Sequence, residues 1–583
     1  MQAKLQKMVL WTGLMLFGGE ASRAQVPAYD LDAAKLPGVA IQSIPEFSGT
    51  HPAGVRLSVN NRYFEKNGKP WYPIMGEFHY WRYPAEYWEE EIVKMKSGGL
   101  QIVATYIYWG AHEKTKGNWN WTGRLNLRRF IELCARHGMY VWLRPGPYIN
   151  GDVRGRGFPD RIYEMRQKRS NHPAYLSETD AYFEQVGRQT RGMYWKEGGP
   201  VIGVQLENEY ASGDSTHISQ LKQLAIKNGI SPVYWSVTAN TVFRDETFEV
   251  LPMQGAYCYR GWEAGQQLTT DFLFSRDQWI MEKNLGQVYY DVERYPRATC
   301  EQGAGMQETH GSRISVAPHV IEAHAHNQTG RGVNFMGYFM FQGGTQYPGT
   351  EMKLSDGPMM PSGLVSYDYQ APIDEFGRLN DSYKYLKLQH LFLNDFGNRL
   401  VTMQTIRPAT LPTVPEDTAN LRYTGRFNGE GQGFIFLCNT QNYLAMPPKT
   451  LRMKVHLPDG PLTFPREPVT FTDGKIATWP VNFQFGGINV RYATAQVLCD
   501  ISQEKEQTLF MYGTDGIDPE ICIDRKGIDS MSATGCAYFN SESAAYFNPE
   551  TLPATITIRK KTGSVQLSSY CRGKTLKMRG RRK

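Results

Sequence analysis

Pro200-Val-Ile-Gly-Val-Gln-Leu-Glu-Asn-Glu-Tyr210 is the stretch whose reading decides the fold. It opens as a short, nearly unbroken apolar run and ends abruptly in polar groups, Glu207-Asn208-Glu209. A strand that is apolar on both sides must be covered on both faces. That is the pattern of a parallel sheet flanked by helices, not of an antiparallel sheet with one wet face. In closed sheets of this kind, reactive groups stand where strands end and loops begin.

Working outward, the same pattern recurs. Further apolar runs lie at 71–78, 102–108, 139–143, 232–237, 250–257, 297–300 and 333–341, which with 200–206 makes eight. Helical stretches separate them. One covers 86–97 and is stopped by Gly98-Gly99; another ends at Gly138 and carries the apolar stripe Leu127, Phe130, Ile131, Cys134. Eight strands alternating with helices predict a (β/α)8 TIM barrel, of the α/β class. Polar residues follow run after run: Glu77-Phe-His79, Trp109-Gly-Ala-His-Glu113, Arg144-Pro-Gly-Pro-Tyr148, Glu207-Asn-Glu209, Glu301-Gln302 and Gln342-Gly-Gly-Thr345. Beyond about residue 395 helical periodicity fades. Short apolar runs such as 433–438 are punctuated by the turn signals Asn428-Gly429, Pro458-Asp-Gly460 and Asp473-Gly474. The expected organisation is a signal peptide over 1–24, a catalytic barrel over 25–395, and a smaller all-β, sandwich-like domain with a basic tail over 396–583.

Composition agrees with a large globular chain. Of 583 residues, 41% are hydrophobic and 21% charged. Aromatics reach 13%, enough to fill a core or to line a site for sugars. The net charge of +7 comes from the tail residues Arg572, Lys574, Lys577, Arg579, Arg581, Arg582 and Lys583, so the body is neutral and no nucleic-acid partner is expected. Lys4 and Lys7 precede the apolar segment 8–17 and the small-residue site Ser22-Arg23-Ala24, which predicts export to a periplasmic or extracellular space. The segment is too short for membrane insertion. The eight Cys form no CxxC pair, and His319, His324 and His326 are badly spaced for one ion. No metal and no cofactor are expected, and the oligomeric state stays open.

Cleaving a glycosidic bond with retention needs two carboxyl groups about 5–5.5 Å apart, one as acid/base and one as nucleophile. Glu209 ends the fourth run and Glu301 the seventh, so a barrel can place them across one site. Gly198-Gly-Pro-Val-Ile-Gly-Val-Gln-Leu-Glu-Asn-Glu-Tyr210 resembles the signature of the glycoside hydrolase family 35 β-galactosidases. So do Gly76-Glu-Phe-His-Tyr80, Thr105-Tyr-Ile-Tyr-Trp109, Leu143-Arg-Pro-Gly-Pro-Tyr-Ile149 and Phe339-Met-Phe-Gln-Gly-Gly-Thr345, and the likeness covers roughly 55–395. The resemblance implies that Glu209 is the acid/base, that Asn208 binds the sugar 2-hydroxyl, that Tyr106 contacts the cleaved sugar, and that Glu207 is a bystander. Glu301 is the matching nucleophile by its place on the seventh run, with Asp291, Glu293 and Glu308 as rivals. Two departures fall at expected sugar contacts. The family's Cys-Ala-Glu-Trp is replaced by Asn150-Gly-Asp-Val153, which leaves Asn150 and Asp152 to meet the substrate, and the Asn usual after Trp109 is Gly110. Trp81 and Trp109, at strand ends, are candidates to stack on sugar. The resulting expectation is a retaining exo-β-glycosidase, a β-galactosidase by default, acting on an oligosaccharide or polysaccharide. The alternatives are the same mechanism on another sugar, or a barrel that binds glycans without cleaving them.

Overall fold

A computed structural model describes residues 28–571 except 263–264, 275–286, 357–359, 504–505, 552 and 561–562. The expected signal peptide and the basic tail lie outside the described residues. Eight strands close into a barrel: β1 (Ile74–Glu77), β2 (Ile102–Tyr106), β3 (Tyr140–Gly146), β4 (Val201–Leu206), β5 (Tyr234–Thr238), β6 (Leu251–Ala256), β7 (Thr299–Gly303) and β8 (Met336–Phe339). Neighbours in sequence are neighbours in space, and every pairing is parallel, including β8 back to β1. Every residue of β2, β4, β5, β6 and β7 is buried, as a sheet covered on both faces requires.

The eight strands fall on the eight expected runs, with one instructive difference. The run 71–78 is broken. Lys69–Trp71 pairs antiparallel with Phe64–Lys66, and the barrel strand begins only at Ile74. Pro73 separates the two; having no N–H, it can serve the barrel only as acceptor, which it does for the Met336 amide.

Helices α1 (Trp88–Ser97), α2 (Leu127–Arg136), α3 (Pro173–Thr190) and α4 (His217–Lys227) follow the first four strands. No helix follows β5, whose connection runs directly over 239–250. α5 (Pro318–Arg331) follows β7 and α6 (Asp381–Leu400) follows β8. The expected boundary at 395 falls inside α6. The chain leaves the barrel about five residues later, where that helix ends.

The C-terminal region holds an eight-stranded sheet, a five-stranded sheet and a three-stranded sheet. Pairing is antiparallel except between Glu506–Gly513 and Gly563–Cys571 and between Ala28–Asp32 and Lys449–Leu457. The latter pair revises the domain limits: the first described strand belongs to the second domain, not to the barrel. Gly433–Asn439 shows how the two domains join. All of it is buried, and its side chains alternate. Ile435 and Leu437 enter the core shared with Leu451, Met453 and Trp479, while Phe434, Phe436 and Cys438 join the core of the barrel. Cys134 packs in the barrel core on α2 as its stripe implied, and the seven cysteines from Cys134 to Cys536 are unpaired. Among the described residues no helix is long and apolar enough to cross a membrane.

Candidate active site

The carboxyl ends of the strands surround a cavity of about 430 Å³. Glu209, Asn208, Tyr106, Glu301, Asn150 and Asp152 all line it. The six residues come from the loops and ends of β2, β3, β4 and β7, so the barrel alone brings them together.

Glu209 reaches the cavity because the backbone after β4 is bent sharply. Glu207 and Glu209 both take left-handed angles, with φ of 55° and 48°. Non-glycine residues are rarely held there unless the surroundings impose it. Arg169 is one of the restraints. Its Nε donates to Glu207 Oε2 at 3.0 Å, and its Nη2 donates to the Asn208 carbonyl at 2.8 Å. Gln205 Nε2 donates to the Glu207 carbonyl at 2.9 Å. Glu207 is thus turned away, fully buried against Arg169 and His217. Burial alone would raise its pKa, but the Arg169 charge overrides this and holds it below the usual carboxylate range. Glu209 faces the opposite environment. Burial among protein atoms, then the charges of Glu301 and Asp152, push its pKa up to about 7. Asn208 Nδ2 donates to Glu209 Oε2 at 3.3 Å.

Glu301 is fixed by three donors. Tyr106 Oη donates to its Oε1 at 3.1 Å, Tyr257 Oη to its Oε2 at 3.3 Å, and Arg144 Nη2 to Oε1 in a short ion pair. Tyr106 Oη also lies 2.7 Å from Asn208 Oδ1, so its one proton is shared between the segments that end β4 and β7. Arg144 is the buried hub. It gives Nη1 to Glu77 at 3.0 Å, Nε to Gln205 at 2.9 Å and Nη2 to Asn208 at 3.3 Å, and its guanidinium lies 3.9 Å over the Tyr106 ring. Burial opposes its charge, but Glu77, Tyr106 and Glu301 raise its pKa well above normal. The rivals Asp291, Glu293 and Glu308 are exposed and lie outside the cavity.

Asn150 and Asp152 stand on the loop after β3. Asn150 Oδ1 accepts from Arg156 Nη1 at 2.8 Å. Asp152 Oδ2 accepts from Tyr367 Oη at 2.8 Å, and with its amide turned over Gln307 donates to the same oxygen at 2.7 Å while accepting from Trp262 Nε1 at 2.9 Å. Burial raises the Asp152 pKa, which Tyr367 and Arg82 only partly offset.

The structure corrects three expectations about sugar contacts. Trp81 has no exposed surface; it stacks on His79 with centroids 4.6 Å apart, behind the cavity wall. Trp109 is equally buried, stacks on Tyr182 at 4.6 Å, and donates Nε1 to Glu113 at 2.8 Å. Both are consumed by packing because the chain after β1 and β2 curls into short helical turns, Tyr80–Arg82 and Trp109–His112, that press these rings inward. Gly110 also lies outside the cavity. A Cβ there would meet the Phe158 carbonyl oxygen at 2.7 Å, so glycine is a packing requirement.

Trp262, by contrast, does reach the cavity. It lines the cavity, is 38% exposed and meets Tyr257 edge-on at 4.7 Å. Sequence reasoning missed it, along with Arg144, Tyr257 and Tyr369. Arg144 and Tyr257 were within reach, since each stands at the end of an apolar run. Trp262 and Tyr369 sit in long loops that carry no periodic signal. Among the described residues no group of three metal-ligating side chains occurs; His324 is buried in α5 beside Gln302.

A half-buried acid with a pKa near neutrality thus faces a carboxylate pinned by an arginine, in a cavity open to a small ligand. Comparison with known proteins places this arrangement in a family. The model of glycosyl hydrolases family 35 matches residues 63–394, and that of the second domain of β-galactosidase matches 405–571. The chain is 30% identical over 347 residues to a β-galactosidase of Bos taurus, covering 58% of this chain and 50% of that protein. It is 28% identical over 397 residues to β-galactosidase 8 of Arabidopsis thaliana, covering 66% and 41%. It therefore spans about half the length of the curated relatives it matches. A family model covering more than half of the chain, laid over a closed barrel with paired glutamates at β4 and β7, establishes membership: this chain belongs to glycosyl hydrolases family 35.

Proposed function

We propose that the protein is a retaining exo-β-glycosidase, in first place a β-galactosidase, that releases a terminal sugar from an oligosaccharide or polysaccharide. One observation carries the reading: the difference between the two carboxyl groups that share the cavity. Glu209, with its pKa raised to about 7, keeps a large share of its protons near neutral pH and can give one to the leaving oxygen. Glu301 is held by the Arg144 charge and two phenol hydroxyls, which orient it as nucleophile toward the anomeric carbon. Once the glycosyl-enzyme forms, Glu209 is an anion and serves as base for the attacking water. Asn208 is bridged by Tyr106 to Glu301, which supports its assignment to the sugar 2-hydroxyl. A cavity of about 430 Å³ falls in the range of roughly 300–1,000 Å³ usual for small-ligand sites, which suits recognition of a chain end.

Chemical rescue tests the assignment. Glu301→Ala should abolish turnover of an aryl β-galactoside, and azide should restore it with release of the α-glycosyl azide. Glu209→Ala with azide should give the β-glycosyl azide instead. The same anomer from both variants would sink the assignment. Export to a periplasmic or extracellular compartment belongs to this reading and rests on Lys4, Lys7 and the apolar segment after them. A fusion of residues 1–30 to a reporter that stayed in the cytoplasm would remove it. The second reading, the same mechanism on a different sugar, is favoured by Asn150 and Asp152, which line the cavity where the family pattern differs.

A further inference from the structure

The loop 150–156 is sharply bent. Asn150, Gly151, Asp152, Gly155 and Arg156 all have left-handed φ, at 52°, 59°, 50°, 65° and 54°. Glycine is free there and Asn or Asp is tolerated, because their short side chains bond locally. An arginine is not favoured in that region. Unfavourable backbone angles persist where the surrounding structure holds them, and they cluster at ligand sites.

What the bend achieves is visible in the side chain. Arg156 lines the same cavity as Glu209 and Glu301. Its Nη1 donates to Asn150 Oδ1 at 2.8 Å, so its partner is a neutral amide. Three of the cavity's acids have their hydrogen-bond or ion-pair partners elsewhere, although the Asp152 charge also acts on Arg156 at longer range. Glu301 is paired with Arg144, Asp152 accepts from Tyr367, and Asp271 lies 3.5 Å from Arg331 and accepts from Thr269 at 3.1 Å. The amide of Asn150 orients the guanidinium without neutralising it. A second guanidinium, Arg260, comes from the loop after β6 and lines the same cavity, within reach of the Asp271 charge. A planar guanidinium with a free edge fits the two oxygens of a carboxylate or a sulfate.

We propose that Arg156, oriented by Asn150, is a specificity-determining residue that binds an anionic substituent, a carboxylate or a sulfate ester, on the glycan substrate. This rests on the glycosidase reading and names the substrate class for it. The Asn150-Gly-Asp-Val153 segment is then a rebuilt recognition loop: Asn150 sets the cation and Asp152 is drawn back to Tyr367.

Four substrates test it: p-nitrophenyl β-galactoside, its O-sulfated derivative, p-nitrophenyl β-galacturonide, and a disaccharide of galactose β-linked to glucuronic acid. The wild-type chain should show kcat/KM at least about tenfold higher on one anionic substrate than on the neutral galactoside, the worth of one charge-assisted contact. The anionic arm that wins identifies sulfate or carboxylate. Arg156→Met should erase that ratio. Arg156→Gly should do the same, and because glycine is at ease at φ 54° it guards against a folding artefact. Turnover of the neutral galactoside with no anionic preference, or a preference that survives in both variants, overturns the inference and leaves the glycosidase reading standing. No turnover of any of the four overturns both.

Discussion

Glu209 and Glu207 are two residues apart and of the same chemical type, yet their protons are held in opposite ways. Arg169 lowers the pKa of one; burial and the neighbouring charges of Glu301 and Asp152 raise that of the other. A testable pH dependence follows. The alkaline limb of kcat/KM should fall with an apparent pKa near 7, and Asp152→Asn should move that limb to lower pH by removing a negative neighbour. A limb that stays in place or rises contradicts the account. The same shift acts on stability. A carboxyl that titrates near 7 in the fold and near 4.5 in the unfolded chain binds its proton more tightly when folded. It favours the fold fully below about 4.5 and loses that contribution as pH rises through 7. Glu209→Gln should therefore be inactive but more stable than the wild type at pH 8, by an amount on the order of 3 kcal/mol, with the difference vanishing near pH 4. Chemical denaturation at the two pH values measures it. At this scale the sequence reads unevenly. Glu209 is legible because a long specific motif surrounds it, and Glu301 because a strand ends there. The reason Glu207 differs from Glu209 is illegible, since Arg169 reaches it from 38 residues away.

At the scale of elements, the helices that follow β3 and β4 pack tightly against each other. α3 and α4 approach closely at Gly187, where a Cβ would strike the Asn228 carbonyl oxygen at 1.9 Å. Asn228 also donates Nδ2 to Asp180 Oδ1 at 2.7 Å, which holds the two helices in register. Because the obstacle is backbone, Gly187→Ala must push the helices apart, at a cost of about 1–3 kcal/mol. Thermal unfolding should show the loss; an unchanged midpoint would mean that the helices are not packed this closely. The strands themselves were readable as continuous apolar runs, and eight of them named the barrel. Trp81 and Trp109 show where such reading stops. Their places at strand ends were correctly seen, but the turns that bury them depend on Tyr182, His79 and Glu113, which no local pattern connects.

Across the whole molecule, the barrel and the β-sheet region are riveted by Arg426. It is fully buried on Arg422–Phe427 and donates Nη2 to Asn334 Oδ1 and to the Leu400 carbonyl, both at 2.8 Å, and Nη1 to the Thr329 carbonyl at 3.2 Å. These carbonyls lie at the C-terminal ends of α5 and α6, where helix dipoles favour a cation. Its pKa is pushed down to about 9, chiefly by burial, so the contacts come against a desolvation penalty. Arg426→Met would orphan these acceptors at about 1–3 kcal/mol each. The expected result is a lower first melting transition with near-normal kcat for the folded enzyme. A single unshifted transition would show that the interface holds without it. The β texture of the second region was legible from its turn signals, while its joining to the barrel was not, because Gly433–Asn439 serves two cores with alternate side chains.

Central to the proposed mechanism is that Glu301 carries the sugar between the two steps. The most direct measurement is to treat the chain with a β-galactosyl fluoride bearing fluorine in place of the C2 hydroxyl and to map the adduct by peptide mass spectrometry. The account predicts one covalent sugar, on the peptide containing Glu301. An adduct on Glu209, Asp152 or another carboxylate would contradict it.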